Sequence, residues 1–280
     1  MTTLDSTFLR VERDGPVALI LLNRPDKANS MTPDFWADLP RIVDALARDE
    51  SVRCAILAGE GRHFTGGMDL AAFASLAGLF QQEPGRAAYA MRDLILSLQN
   101  AFNALERARL PVIAAIHGAC VGAGIDMITA CDLRIASADA YFSVEEIHIG
   151  MAADVGTLQR LPKLIAPAVA AELAYSGRRF QADEAKAIGL VSAVHADKEA
   201  LMDAARQMAH DIAKRSPLAI AGIKRNLAYA RDHSVADGLD YIATWNAGML
   251  RPGELIAAVQ AKMTKQEAEF ADLLSDRKLG

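Results

Sequence analysis

Short apolar runs alternate with longer stretches of helical period through the first two thirds of the chain. Residues 17–22, 55–58 and 112–116 are continuous Val, Ile, Leu and Ala runs bounded by turn-forming residues, and they read as buried strands. A loop and then a helical pattern follow each one. Thr32-Pro33 is a helix start, an N-cap followed by Pro at the first helical position, and Phe35, Trp36, Ile42, Val43 and Leu46 supply the apolar face. Pro40 falls inside that stretch, where a missing amide and a crowded preceding turn predict a kink or a later start. Repeated strand, loop and helix units predict an α/β architecture around a layered sheet. After about residue 195 the strand signals stop, and Asp197, Ser216-Pro217 and Ser234 each offer a helix cap. The expected division is therefore an α/β core over residues 1–195 and a helical region over 196–280, with no Gly/Ser/Pro-rich linker between them.

Composition narrows the class. With 52% hydrophobic and 23% charged residues over 280 positions, the chain belongs with folded globular proteins. A formal net charge of -5, with no Lys/Arg run, gives no attraction for phosphate backbones, so no nucleic-acid partner is expected. Cys54, Cys120 and Cys131 form no C-x-x-C pair and sit in apolar stretches, as buried thiols of a reducing compartment do. The most apolar region, 110–131, is interrupted by Pro111, His117, three glycines and Asp126, whereas a membrane span needs about 20 apolar residues in a row. No membrane partner is expected. Met1-Thr2-Thr3-Leu4-Asp5 lacks the basic-then-apolar order of a leader, which points to a cytoplasmic protein.

The chemistry starts from what is missing: H-E-x-x-H, G-x-x-x-x-G-K-[ST], G-x-S-x-G and paired C-x-x-C motifs are all absent from the sequence. No metal site is expected. Gly122-Ala123-Gly124 has the outline of a dinucleotide loop, but Met127 stands where a third Gly or Ala is needed and Asp126 would repel a pyrophosphate. Two glycine-rich turns remain, Phe64-Thr65-Gly66-Gly67-Met68-Asp69 and the segment from His117 to Asp126. If they converge, their free amides make an oxyanion hole; otherwise the glycines serve only tight turns and close packing. Three acids lie in the same part of the chain. Asp126 suits the first turn of a helix, Glu145-Glu146 suits a solvated strand end, and Asp154 suits an N-cap, so each has a structural as well as a catalytic reading. His148 alternates with Glu146 and reads as a packing histidine.

Over essentially its whole length the sequence resembles the crotonase superfamily, the enoyl-CoA hydratase and isomerase family. Leu22-Asn23-Arg24-Pro25, the 64–69 turn and the 117–132 segment carry the general likeness. The run from Val144 to Pro162 and that from Arg231 to Asn246 resemble the dienoyl-CoA isomerase subgroup. The resemblance implies a spiral of ββα units with a C-terminal helical region that builds homotrimers, often paired as hexamers. It implies an acyl-CoA thioester substrate, with no cofactor beyond the coenzyme A that the substrate carries. It further implies that the Gly66 and Ala123 amides hold the thioester oxygen, while Asp126, Glu146 and Asp154 occupy the subgroup's acidic positions. Ordinary hydratases have Glu at the first two and Gly at the third. Moving a conjugated pair of double bonds needs one proton removed near the thioester and one delivered farther along, so an added carboxylate at Asp154 supplies a second station. Arg24, Lys27, Arg62 and Asp69 are candidates for contacting coenzyme A, and Lys265 and Phe270 for reaching a neighbour's ligand.

The chain departs from the pattern at His148, where the subgroup has an acid, and at Gly66, where Ala is more usual. It ends Arg277-Lys278-Leu279-Gly280, without a peroxisomal Ser-Lys-Leu. The alternatives are a hydratase adding water to a 2-enoyl-CoA, and a non-catalytic, RNA-binding protein of the same fold.

Overall fold

A computed structural model describes residues 6–74 and 77–274 of the chain; the amino-terminal and carboxy-terminal segments on which the targeting expectations rest lie outside them. The apolar runs become strands: β1 (Leu9–Asp14), β2 (Val17–Leu22), β3 (Cys54–Gly59), β4 (Val112–Ile116), β5 (Ala119–Val121), β6 (Leu133–Ser137), β7 (Tyr141–Ser143), β8 (Phe180–Gln181) and β9 (Ala193–His195). Six of them form a sheet in the order β1-β2-β3-β4-β6-β9, and the others a small sheet in the order β5-β7-β8. In the large sheet only β1 is antiparallel to its neighbour. Buried on both faces, β2 sends Ala18, Ile20 and Leu22 into one apolar cluster and Val17, Leu19 and Leu21 into another. The two-residue period of a strand divides the core in this way.

The helices are α1 (Pro33–Arg48), α2 (Ala71–Ala74), α3 (Ala77–Phe80), α4 (Pro84–Arg107), α5 (Ala123–Thr129), α6 (Thr157–Leu164), α7 (Pro167–Ser176), α8 (Ala182–Ala187), α9 (Lys198–Ala213), α10 (Pro217–Asp232), α11 (Val235–Met249) and α12 (Pro252–Thr264). Helix α1 starts at Pro33 and runs on through Pro40. Its buried face of Phe35, Trp36, Leu39, Ile42, Val43 and Leu46 holds the helix together where the lost amide alone would favour a break. Helix α9 lays Leu201, Ala205 and Ala209 on the outer face of the large sheet. Asp197, Ser216 and Ser234 cap α9, α10 and α11 as the sequence suggests, each accepting a hydrogen bond from a first-turn amide. Among the described residues no helix is long and apolar enough to cross a membrane.

Successive units place one strand in the large sheet and the next in the small one: β4 then β5, and β6 then β7. β3 continues to Thr65, which bridges in parallel to Cys120 of β5, and β5 in turn pairs in parallel with β7. Parallel neighbours end at the same edge. The turn after Thr65, the start of α5 after β5 and the Glu145–Ile149 turn after β7 therefore meet at one place.

Candidate active site

That meeting point is a cavity of about 290 Å³, lined by both glycine turns together with Glu146, Asp154, Met151 and Val155. The turns touch. Gly67 has φ of 85°, and a Cβ there would lie 2.8 Å from the Val121 carbonyl oxygen and 3.5 Å from the Ala123 nitrogen. Gly122, at φ 53° and ψ -125°, opens α5 in a conformation that suits only glycine. Below the first turn the fully buried Asn29 acts as a strut: its Nδ2 donates to the carbonyls of Glu60, His63 and Phe64, and its Oδ1 accepts from the Arg24 amide.

Only an amide that has no partner already can hold an oxyanion. The Gly66 N–H, expected to do so, instead donates to the Ala28 carbonyl at 2.7 Å, because left-handed backbone at Ala28 brings that oxygen under the turn. Gly67 donates to Thr65 Oγ1 at 3.1 Å and Asp69 to the Met31 carbonyl at 2.9 Å. The Met68 N–H has no partner among the described residues, and neither does that of Ala123 at the first position of α5. Both residues line the cavity. The amides left free at the cavity are thus those of Met68 and Ala123. No residue type in the turn marks the shift, because which amide of a turn is free depends on what its neighbours already bind.

The acids follow from the same layout. Asp126 is fully buried in α5, yet it does not cap its own helix: its Oδ1 accepts the Thr157 N–H at 2.5 Å, the first amide of α6. Its Oδ2 and Glu146 Oε2 are buried without a partner as long as both groups are anions. Glu146 lies at hydrogen-bonding range of Asp126, so a proton on one bridges to the other. Burial, then the Asp126 charge, push the Glu146 carboxyl well above the usual carboxylate range. Asp126 is raised as well, first by burial, against the opposing Thr157 hydrogen bonds. Asp154, about half buried, is raised by burial. It lies in the segment before α6, whose N-cap is Gly156 rather than Asp154 itself, and Gln99 Nε2 holds its carbonyl at 2.7 Å. Glu146 and Asp154 thus line the cavity with two free amides, and Asp126 is buried beside Glu146; all three carboxyls have a raised affinity for protons.

The Enoyl-CoA hydratase/isomerase family model matches residues 12–246. The chain belongs to the enoyl-CoA hydratase/isomerase family. It is 45% identical over 252 residues to the mitochondrial Δ3,5-Δ2,4-dienoyl-CoA isomerase of Mus musculus, covering 89% of this chain and 77% of that protein. To the peroxisomal Δ3,5-Δ2,4-dienoyl-CoA isomerase of Arabidopsis thaliana it is 43% identical, covering 95% and 96%. Among solved structures, an enoyl-CoA hydratase from Bacillus anthracis is similar with a TM-score of 0.86 at 28% identity, covering 95% of this chain and 99% of that one. The crotonase fold inferred from the sequence is thereby established. The cytoplasmic expectation is overturned: these relatives are mitochondrial and peroxisomal, and a reading built on a missing leader and buried thiols carries no weight against them.

The other expected residues of this family member divide by position. Arg24 and Asp69 form an ion pair at 2.5 Å beside the 66–69 turn, and the Lys27 charge also acts on Asp69. Arg62 does not line the cavity; its carbonyl packs against Gly118 at the β4 to β5 turn. Lys265 ends α12, while Phe270 lies in a separate cavity with Trp245 and Leu250, its carbonyl gripped by Arg53. His148, at the cavity edge, bonds the Gly177 carbonyl at 3.0 Å but is exposed rather than packed in the interior. Arg179 also lines the cavity, 5.2 Å from the Tyr141 ring, and no motif marked it.

Proposed function

We propose that the protein is a Δ3,5-Δ2,4-dienoyl-CoA isomerase, in which carboxylates move a proton along the acyl chain while two backbone amides hold the thioester oxygen. The observation that carries this reading is the presence of Glu146 and Asp154 at one cavity with the free Met68 and Ala123 amides, Asp126 being buried beside Glu146. The named isomerases of mouse and Arabidopsis support it. Protonation states give the shuttle a direction. Glu146, with its affinity raised by burial and by Asp126, carries a proton at neutral pH and can act as an acid. Asp154, about half exposed and raised only by burial, is the group left to act as a base.

Asp154 takes a proton from C2 of the 3,5-dienoyl thioester. The electron pair spreads over the diene and onto the thioester oxygen, where Met68 and Ala123 donate to the developing charge. Glu146 then delivers its proton to C6, and the 2,4-dienoyl-CoA results. Each turnover leaves Asp154 protonated and Glu146 ionised, so the proton must return between them before the next. Asp126 acts as the polar tuner beside Glu146. Arg24 and Lys27, beside the oxyanion turn, suit the phosphates of coenzyme A.

For assembly we propose a homotrimer, paired as a hexamer. Helices α11 and α12 bury no residue within the chain, and Val235, Leu239, Ile256 and Met263 are all exposed. Apolar helix faces of this extent call for a cover, and a neighbouring copy would bring Lys265 and Phe270 toward another subunit's ligand.

Offering the purified protein a 3,5-dienoyl-CoA and crotonyl-CoA separates isomerase from hydratase. The dienoyl thioester should gain the absorbance of a diene conjugated to the thioester. Rapid loss of crotonyl-CoA absorbance with no change in the dienoyl-CoA would overturn the isomerase reading.

A further inference from the structure

Behind the acids, on the far side of the segment 154–157, lies a second cavity of about 310 Å³, lined mostly by polar and charged side chains. Its wall is built around Arg160 in the first turn of α6, whose side chain is only 10% exposed. Arg160 Nη2 donates to Asn103 Oδ1 at 2.5 Å and to Glu106 Oε2 at 2.9 Å, both on α4. Glu106 also accepts from Arg231 at the end of α10.

The guanidinium is wedged against the site's own backbone. A Cβ on Gly156 would lie 2.0 Å from Arg160 Nη1, and the Gly156 backbone, at φ 137°, leaves room for the guanidinium only because no side chain is there. Gly156 stands between Asp154 and Thr157, the residue whose amide binds Asp126. Arg160 therefore backs the segment that carries one acid and clamps another. It also places a cation whose charge reaches the buried Asp126 behind the cavity.

We propose that Arg160 is a positioning residue: anchored by Asn103 and Glu106, it fixes the segment 154–157 against α5 and biases the site's negative charge toward Asp126 and away from Glu146. The groups that face Asp126 are Glu146 from the turn after β7, Asp154 from the segment before α6, the Cys120 thiol from β5, and Arg160 from α6. Arg160 alone in that set favours the ionised form of Asp126. Glu106 regulates how much of that charge is felt. Burial opposes its ionisation, but the Arg231 and Arg160 hydrogen bonds hold its carboxyl below the ordinary range, so it stays an anion beside the guanidinium.

The inference rests on the reading of these three acids as the reacting groups, and it has a readout that needs no turnover. Infrared titration of the protonated-carboxyl band in the substrate-free protein follows the acids directly, and the pH profile of kcat/KM on a 3,5-dienoyl-CoA follows them in action. Arg160→Met should move the site's carboxyl titration to higher pH, by on the order of half a unit, because a nearby cation is lost. Glu106→Gln should move it to lower pH, since the Arg160 charge is then no longer offset. Arg160→Lys keeps the charge but not the fork, so the titration should stay near that of the unaltered protein while kcat falls several-fold.

Opposite shifts in the first two variants are a signature that simple loosening of the fold cannot produce. Shifts of the same sign, or no shift in either, would overturn the proposal; if Arg160→Met does not fold, the sign for Glu106→Gln decides. Absence of dienoyl-CoA isomerisation by the unaltered protein would remove the isomerase reading and leave the infrared titration to judge this one.

Discussion

Helix α5 has a carboxylate near each end, and the two have opposite fates. Asp132, just past its carboxyl end, takes the Val112 N–H and the Lys224 ammonium on Oδ2, each at 2.8 Å. Lys224 spends its other two protons on the carbonyls of Leu105 and Leu110 at 2.8 and 2.9 Å, tying α10 to the body of the protein. Asp126, inside the same helix, receives one amide and faces another carboxyl, and an oxygen of each acid is left without a donor. Burial raises the proton affinity of both aspartates. Burial alone thus does not mark a reacting acid. The difference lies in whether donors complete the anion: where they do, the acid is a joint, and where they do not, it is free to exchange a proton.

Glu146→Gln is the sharpest way to test the free side of that comparison. It should cost on the order of 10³-fold in kcat on a 3,5-dienoyl-CoA, the range of a lost general acid, with the fold intact by circular dichroism. Asp154→Asn should lose a similar factor and suppress isotope exchange at C2; exchange that persists would move the base elsewhere. On the completed side, Lys224→Met should destabilise the chain by about 3 kcal/mol, because it leaves Asp132 without its cation, while partial exposure of Asp132 keeps the cost near the low end for a broken buried pair. Denaturant melts read this directly, and turnover per folded molecule should hardly change. A large kcat loss without destabilisation would erase the distinction between the two ends of α5.

Stability against pH tests the comparison more gently. Folding raises the proton affinity of Glu146 and Asp126, so the folded state holds more protons than the unfolded one above the ordinary carboxylate range. Their contribution to stability is complete below the unfolded pKa values and is lost as pH rises through the folded ones. Glu146→Gln should therefore flatten the fall in Tm on the way from mildly acid to mildly alkaline pH; an unchanged slope would mean that the acid is not held protonated. The smallest effect belongs to a pair that is neither well buried nor unsatisfied. Asp69→Asn should change stability by less than about 1 kcal/mol, as partly exposed ion pairs do, and should show mainly in KM if Arg24 contacts coenzyme A.

Much of the fold was legible in the sequence. Continuous apolar runs gave β2, β3 and β4, and Asp197, Ser216 and Ser234 marked three helix starts, because both signals act over a few neighbouring residues. The short strands β5 and β7 were not separable from glycine turns and strand ends, since two or three residues show no period. Pro40 misled for the opposite reason: a local rule was overridden by six buried side chains along α1.

The site divides along the same line. Residue chemistry and family likeness picked out Glu146, Asp154 and Ala123, which the fold brings to one cavity, and Asp126, which it buries beside Glu146. Asp126 looked like a cap for its own helix and proved to cap α6, a partner only the packing of α6 against α5 could supply. Gly66 looked like an oxyanion donor, but the Ala28 carbonyl had claimed it, leaving Met68. Arg160 lay in the run that resembles the subgroup but carried no sign of a role until Asn103, Glu106 and Gly156 surround it. Sequence determined which elements form and which groups are available to react, because those depend on local backbone preference and side-chain chemistry. Tertiary structure decided which amides stay free, which acids lack a donor and where the cation sits, because each is a question of which partner from a distant part of the chain arrives within hydrogen-bonding range.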